Sequence, residues 1–178
     1  MRVTQAEINR RNVKIAMRLR WEVKPAAPEH IPAIAADMWE NDKNIAATVH
    51  MLSPERALEK SFASSEQAWT CLIGATPAFM WGVCRIGGLL SDRGSPWLLG
   101  TNSFFNRHYK RMHKEFLRQS PIYISKMHEL FPRLENYIHV KSILAMRLLK
   151  HCGFIKSDVP AFINGEAFYL FWRNAQCV

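Results

Sequence analysis

Hydrophobic and polar residues alternate strictly from Val13 to Val23, with Ile15, Met17, Leu19 and Trp21 on one parity and Lys14, Arg18, Arg20 and Glu22 on the other. Period two predicts a strand with one buried face. The period then changes. Ile31, Ile34, Ala35 and Met38 share one helical face behind Pro28, which suits a first helical turn. A second helix is expected over 44–52, and Ser53-Pro54-Glu55 caps a third that ends near Phe62. Trp69–Ile73 and Ala78–Val83 flank Gly74-Ala75-Thr76-Pro77 and read as a hairpin, while the short apolar run Pro96–Leu99 is a candidate central strand.

Residues 102–118 predict a helix whose apolar stripe is Phe105, Tyr109, Met112 and Phe116. Ser120-Pro121 predicts a fresh helix start, running to about Phe131. A strand over 136–140, a helix from Ile143 to His151 stopped by Gly153, and a hairpin turning through Asn164-Gly165 complete the chain. Antiparallel pairs around a central crossover predict a mixed, mostly antiparallel α/β sheet flanked by helices. The expected organisation is an N-terminal basic arm, 1–12, opened by the capping box Thr4–Glu7, and a single domain, 13–178.

Composition narrows the class. The 178 residues are 48% hydrophobic and 22% charged, a globular balance. No run approaches the roughly 18–20 apolar residues of a membrane span, and the polar, basic N-terminus does not read as a secretory signal. The four cysteines, Cys71, Cys84, Cys152 and Cys177, are scattered without ligand spacing, which argues against a structural zinc site and for small buried hydrophobes.

A net charge of +9 favours an anionic partner. Arg107, Lys110, Arg111, Lys114 and Arg118, with His108 and His113, gather on the long helix. Glu115 is the only acid among them, so pairing at i,i+4 leaves the stripe unneutralised. Arg2, Arg10, Arg11 and Lys14 add to the basic arm. The stripe and arm are the candidate partner-binding residues, for nucleic acid, an acidic protein surface or a phosphorylated ligand. His139 is expected to be packed or backbone-bonded, Glu135 solvated or capping, and Glu29 and Asp37 ordinary surface acids.

The order of elements, and the segment Ser142-Ile143-Leu144-Ala145-Met146-Arg147-Leu148-Leu149-Lys150-His151-Cys152-Gly153-Phe154, resemble the GNAT acyltransferases. Their helix commonly reads Asn-x-x-Ala-x-x-Leu-Tyr-x-x-x-Gly-Phe. Ala145, Leu148, Gly153 and Phe154 match; Ser142 stands for the Asn and Leu149 for the Tyr, the usual general acid. The resemblance also implies a Gln/Arg-x-x-Gly-x-Gly/Ala loop that grips a cofactor's pyrophosphate. Here that stretch, Gly100 to Arg107, has one glycine followed by Phe104 and Phe105, whose side chains are expected to obstruct the approach. If coenzyme A binds, the resemblance implies Leu99, Gly100, Thr101 and Ser142 as its contacts.

The stretch SPWLLGT, the basic helix and LENYIHVKSILAMRLLKHCGF further resemble the acetyltransferase-like proteins of short-tailed bacteriophages. That likeness implies a non-catalytic, virion-associated structural protein, made in the host cytoplasm, without cofactor or catalytic residues and in contact with other phage virion proteins in a multi-copy assembly. The alternative is a CoA-dependent N-acetyltransferase with an atypical cofactor loop. A nucleic-acid-binding module ranks third.

Overall fold

The structure is a computed structural model that describes residues 21–88, 90–105 and 110–175. Its elements are β1 (Trp21–Pro25), a 3-10 turn (Pro28–His30), α1 (Ile31–Ala36), α2 (Glu40–Thr48), α3 (Pro54–Ala63), β2 (Ser65–Ile73), β3 (Thr76–Arg85), β4 (Arg93–Gly100), α4 (Asn102–Phe105), α5 (Lys110–His128), β5 (Arg133–His139), α6 (Ile143–His151), β6 (Ile155–Lys156), β7 (Ala161–Ile163) and β8 (Glu166–Asn174). The strands form one sheet in the order β1-β2-β3-β4-β5-β8-β6, with β7 also on β8. Only β4 and β5 run parallel. This is the mixed, mostly antiparallel single-domain α/β architecture expected. The basic arm 1–12, its capping box and the first part of the alternating strand lie outside the described residues.

The two faces of β3 bury against different partners, as a central strand requires. Phe79, Trp81 and Val83 pack on one side with Phe104, Met112, Ile124, Met127 and Phe131. Met80 faces the other way, onto Ile31, Ile34 and Met38 behind α1 and Leu58 of α3. The densest point is Phe79, whose ring centroid lies 4.4 Å from Phe104, 5.1 Å from Phe116 and 5.2 Å from Trp81. None of the tryptophans is fully exposed: Trp81 is buried and the other five are partly so.

Turn and cap chemistry falls where expected in three places. Ser53 accepts the Arg56 amide at the start of α3. Gly74, at φ 66°, turns β2 into β3, and Asn164 (φ 52°) with Gly165 (φ 82°) turns β7 into β8.

Three expectations fail in instructive ways. The strands run longer than their apolar runs, because antiparallel pairing continues into half-exposed residues. Helix α2 starts at Glu40 rather than Asn44, because the Glu40 amide is capped from a distance by Asn102 Oδ1 at 3.1 Å. Pro121 does not restart a helix but lies inside α5. A proline here deprives the Leu117 carbonyl of its i+4 donor. His151 Nε2 of α6 donates to that carbonyl at 2.9 Å, so the helix continues and is tied to its neighbour.

The parallel rungs between β4 and β5 are Arg93↔Arg133 and Gly94↔Leu134. Gly94 is required by proximity, since a Cβ there would sit 2.5 Å from Phe131 Cδ2 and 2.9 Å from Val83 Cγ2. Gly94→Ala is therefore expected to lower stability by about 1–3 kcal/mol, the usual range for overpacking. A urea melt checks this, and an unchanged midpoint would contradict the packing described.

Candidate functional site

Beyond Gly94 and Leu134 the two parallel strands separate, although β4 continues to Gly100 and β5 to His139. Alternate residues of β4 turn their backbone groups towards β3, so the Pro96 carbonyl and the amides and carbonyls of Leu98 and Gly100 face the gap. Asn136 Nδ2 donates to the Pro96 carbonyl at 2.8 Å, a tether from β5 to the backbone of β4 across the opening wedge. Leu98 faces the groove that results, about 1170 Å³ in volume and walled by Leu98, Leu99, Ile138, Leu148, Leu149 and Phe168.

One end of the groove is crossed by residues 37–42, the connection from α1 into α2. The Asp37 carbonyl accepts the Asn102 amide at 2.7 Å, and its carboxylate accepts the Ser103 amide at 3.0 Å. Met38 bridges to Thr101, and its carbonyl accepts Asn102 Nδ2 at 2.9 Å. The Trp39 amide donates to the Gly100 carbonyl at 2.8 Å, and its ring stacks on Phe105 at 4.5 Å. Asn41 Nδ2 donates to Ser142 Oγ at 3.1 Å, on the far side of the gap. The Asp42 carboxyl lies beside the Gly100 amide. This strap thus joins β4 and α4 to the turn before α6.

The strap engages most of the residues proposed for a cofactor. Gly100 gives its carbonyl to the Trp39 amide, and the Asp42 carboxyl lies beside its own amide. The Thr101 hydroxyl donates to the Ala78 carbonyl and accepts the Phe104 amide. Ser142 is buried and bonded to Asn41. Leu99 pairs with Met80 of β3 and lines the groove. Leu149, at the position of the tyrosine, is also on the groove wall.

Of the two bulky residues expected to obstruct, Phe104 is in the core at 1% exposure. Phe105 does lie over Gly100, where a Cβ would meet its ring at 2.9 Å. Asp37, read as a surface acid, instead caps α4. No sequence spacing announces that bond, because it joins positions 66 apart.

The other titratable groups divide into committed and free. His139 is buried, with Nδ1 accepting the Lys141 amide at 3.2 Å and Nε2 on Glu166 at 3.1 Å, the bonded histidine expected. That bond and Lys141 hold the Glu166 carboxyl below the usual range. Glu135 departs from its expectation as a solvated acid: it is buried between Arg93, 2.9 Å away, and Arg133, at 2.6 Å. Burial pushes the Cys71 thiol up to about 12 and Cys152 to about 11, consistent with inert core positions. Cys177 lies outside the described residues. Asp42 is the one carboxyl on the groove wall among the described residues. Desolvation raises its pKa to about 7, against the opposing bonds from Gly100 and Asn41.

The basic stripe is only partly visible. Arg10, Arg11, Arg107 and His108 lie outside the described residues, and of Lys110 and Arg111 the backbone alone is described. Lys114 is exposed. Arg118 departs from the expected unneutralised stripe, because Glu115 reaches it at i+3, with Nε to Oε2 at 3.0 Å. No described helix is long and apolar enough to cross a membrane. No cluster of three metal-ligating side chains occurs among the described residues.

No family model and no curated protein matches the chain. Solved structures do. A GCN5-related N-acetyltransferase from Kribbella flavida is 16% identical, with a TM-score of 0.63 over 87% of this chain and 98% of its own. The ribosomal-protein-S5-alanine acetyltransferase from Vibrio fischeri is 14% identical, with a TM-score of 0.58 over 86% and 92%. A Bacillus subtilis acetyltransferase solved in complex with CoA is 13% identical, with a TM-score of 0.55 over 89% and 100%. The fold is that of the GNAT acetyltransferases.

A cofactor diphosphate held by the amides of residues 102–105 does not fit the described residues. The amides of Asn102, Ser103, Phe104 and Phe105 are taken by Asp37, Asp37, Thr101 and Thr101 respectively. An added anion would also meet the Asp37 carboxylate.

The Asp42 environment predicts a pH effect on stability. The native carboxyl keeps its proton up to about pH 7, while the unfolded chain gives it up near 3.8. The unfolded state therefore binds fewer protons between those values, and native stability falls as pH rises through them. Asp42→Asn is expected to be more stable than wild type at pH 8, with the difference closing by pH 4. Urea midpoints across that range check the sign.

Proposed function

We propose that the protein transfers an acyl group from a thioester to an amine within the β4/β5 groove. The observation that supports this best is the divergence of the one parallel strand pair. It leaves a long apolar slot with the Leu98 backbone along one wall, suited to an extended acyl-bearing chain, and places a carboxyl that titrates near neutrality beside it. The names carried by the structural neighbours agree with this reaction class.

In this reaction the amine nitrogen attacks the thioester carbonyl carbon, a C–N bond forms, and the C–S bond breaks with its electron pair going to sulfur. The proton shed by the nitrogen goes to Asp42, a general base in its ionised form above about pH 7. With Leu149 in place of a tyrosine, the thiolate takes its proton from solvent.

The particle-assembly role expected from the phage-like outline finds no support among these neighbours. A non-catalytic binding domain remains the second reading, favoured by the strap's hold on Gly100 and Ser142.

Incubation with acetyl thioesters and a panel of primary amines, following thiol release, separates the two. Amine-dependent release is expected, rising with pH through about 7 and falling at least tenfold in Asp42→Asn, within the usual yield of general-base catalysis. Release no faster than without amine, across the panel, would overturn acyl transfer and favour the binding domain.

A further inference from the structure

We infer that the strap 37–42 is a specificity element: it shuts the end of the groove where a nucleotide diphosphate would lie and admits thioester donors whose pantetheine arm carries none. The inference rests on the acyl-transfer reading and names its donor class.

Three features support it. First, the strap satisfies the backbone groups that a donor's polar end would otherwise use. The Gly100 carbonyl and the amides of Asn102 and Ser103 are paired to residues 37–42, so a competing ligand must break several bonds at once. Second, the strap is anchored from both sides of the opening. Asn102 grips Met38 O and the Glu40 amide through its side chain, and Asn41 reaches Ser142 beyond the gap. Third, the strap is hostile to anions. Asp37 is held at the α4 start and Asp42 lines the groove beside it. Meanwhile the groove between Leu98 and Leu149 stays open, so the exclusion acts on one end of a donor and not on its acyl-bearing arm.

The strap's two halves contribute differently. Trp39 and Phe105 bury one another over Gly100, so withdrawal exposes aromatic surface as well as breaking hydrogen bonds. Asn102 is the single side chain on which two strap residues depend, which makes it the point where closure is weakened most directly.

Calorimetry on the full chain with acetyl-pantetheine, acetyl-CoA and inorganic pyrophosphate tests this. Wild type is expected to bind the two donors within about threefold of each other and to give no heat with pyrophosphate at about 5 mM. Asn102→Ala is expected to shift the affinity ratio towards acetyl-CoA at least fivefold, and Asp37→Asn to shift it in the same direction. Wild-type binding of acetyl-CoA more than tenfold tighter than acetyl-pantetheine would overturn the inference, as would binding of pyrophosphate. Should neither donor bind, the acyl-transfer reading fails. The closed end is then judged by pyrophosphate alone, whose silence supports it and whose binding overturns it.

Discussion

The structure turns on a parallel strand pair that is hydrogen-bonded at one end only. Once β4 and β5 leave each other after Gly94 and Leu134, the inner edge of β4 carries backbone groups with no strand to meet them. A buried amide or carbonyl left alone costs about 1–3 kcal/mol, so each must find a substitute. Asn136 supplies one for the Pro96 carbonyl and Trp39 one for the Gly100 carbonyl, with the Asp42 carboxyl beside the Gly100 amide. What remains is the stretch at Leu98, which explains why the groove opens there. The same constraint accounts for Gly94, because the rung before the divergence brings Phe131 too close for any side chain.

Much of this fold was legible in the sequence because it is written in local signals. The Ser53 cap, the Asn164-Gly165 turn and the i, i+3, i+4 faces of α1 are decided by neighbours a few residues away. Boundaries were misjudged where the deciding partner is distant. Nothing near Glu40 announces a helix start, since its cap comes from Asn102. Ser120-Pro121 reads locally as a fresh helix start, and this is overridden because His151, on another helix, donates to the carbonyl that the proline leaves unpaired.

The site divides in the same way. The lack of a glycine-rich loop and the replacement of Asn and Tyr by Ser142 and Leu149 are visible as letters. The consequences are not. Phe104 and Phe105 look equivalent in sequence, yet helix geometry sends one into the core and the other over Gly100. Asp37 reads as a surface acid, and nothing in the sequence singles out Asp42, until the strap folds across β4. The charge pattern misled for a related reason: Glu115 serves Arg118 at i+3, a choice of rotamer that counting acids does not reveal.

The glycine-poor start of α4 and the strap are two sides of one arrangement. A helix start has amides that need acceptors, and a protein can leave them for a ligand or cap them itself. Thr101 caps Phe104 and Phe105, and Asp37 caps Asn102 and Ser103, so this end of the fold is complete with nothing bound. Once it is complete, backbone need not approach a phosphate there, and bulky residues such as Phe105 are accommodated without loss. A ligand then adds stability only through its affinity for the remaining groove, as RT ln(1 + [L]/Kd), rather than by satisfying groups the fold left open. Recognition is thereby moved from the start of α4 to the divided strands, where the Leu98 backbone faces the groove.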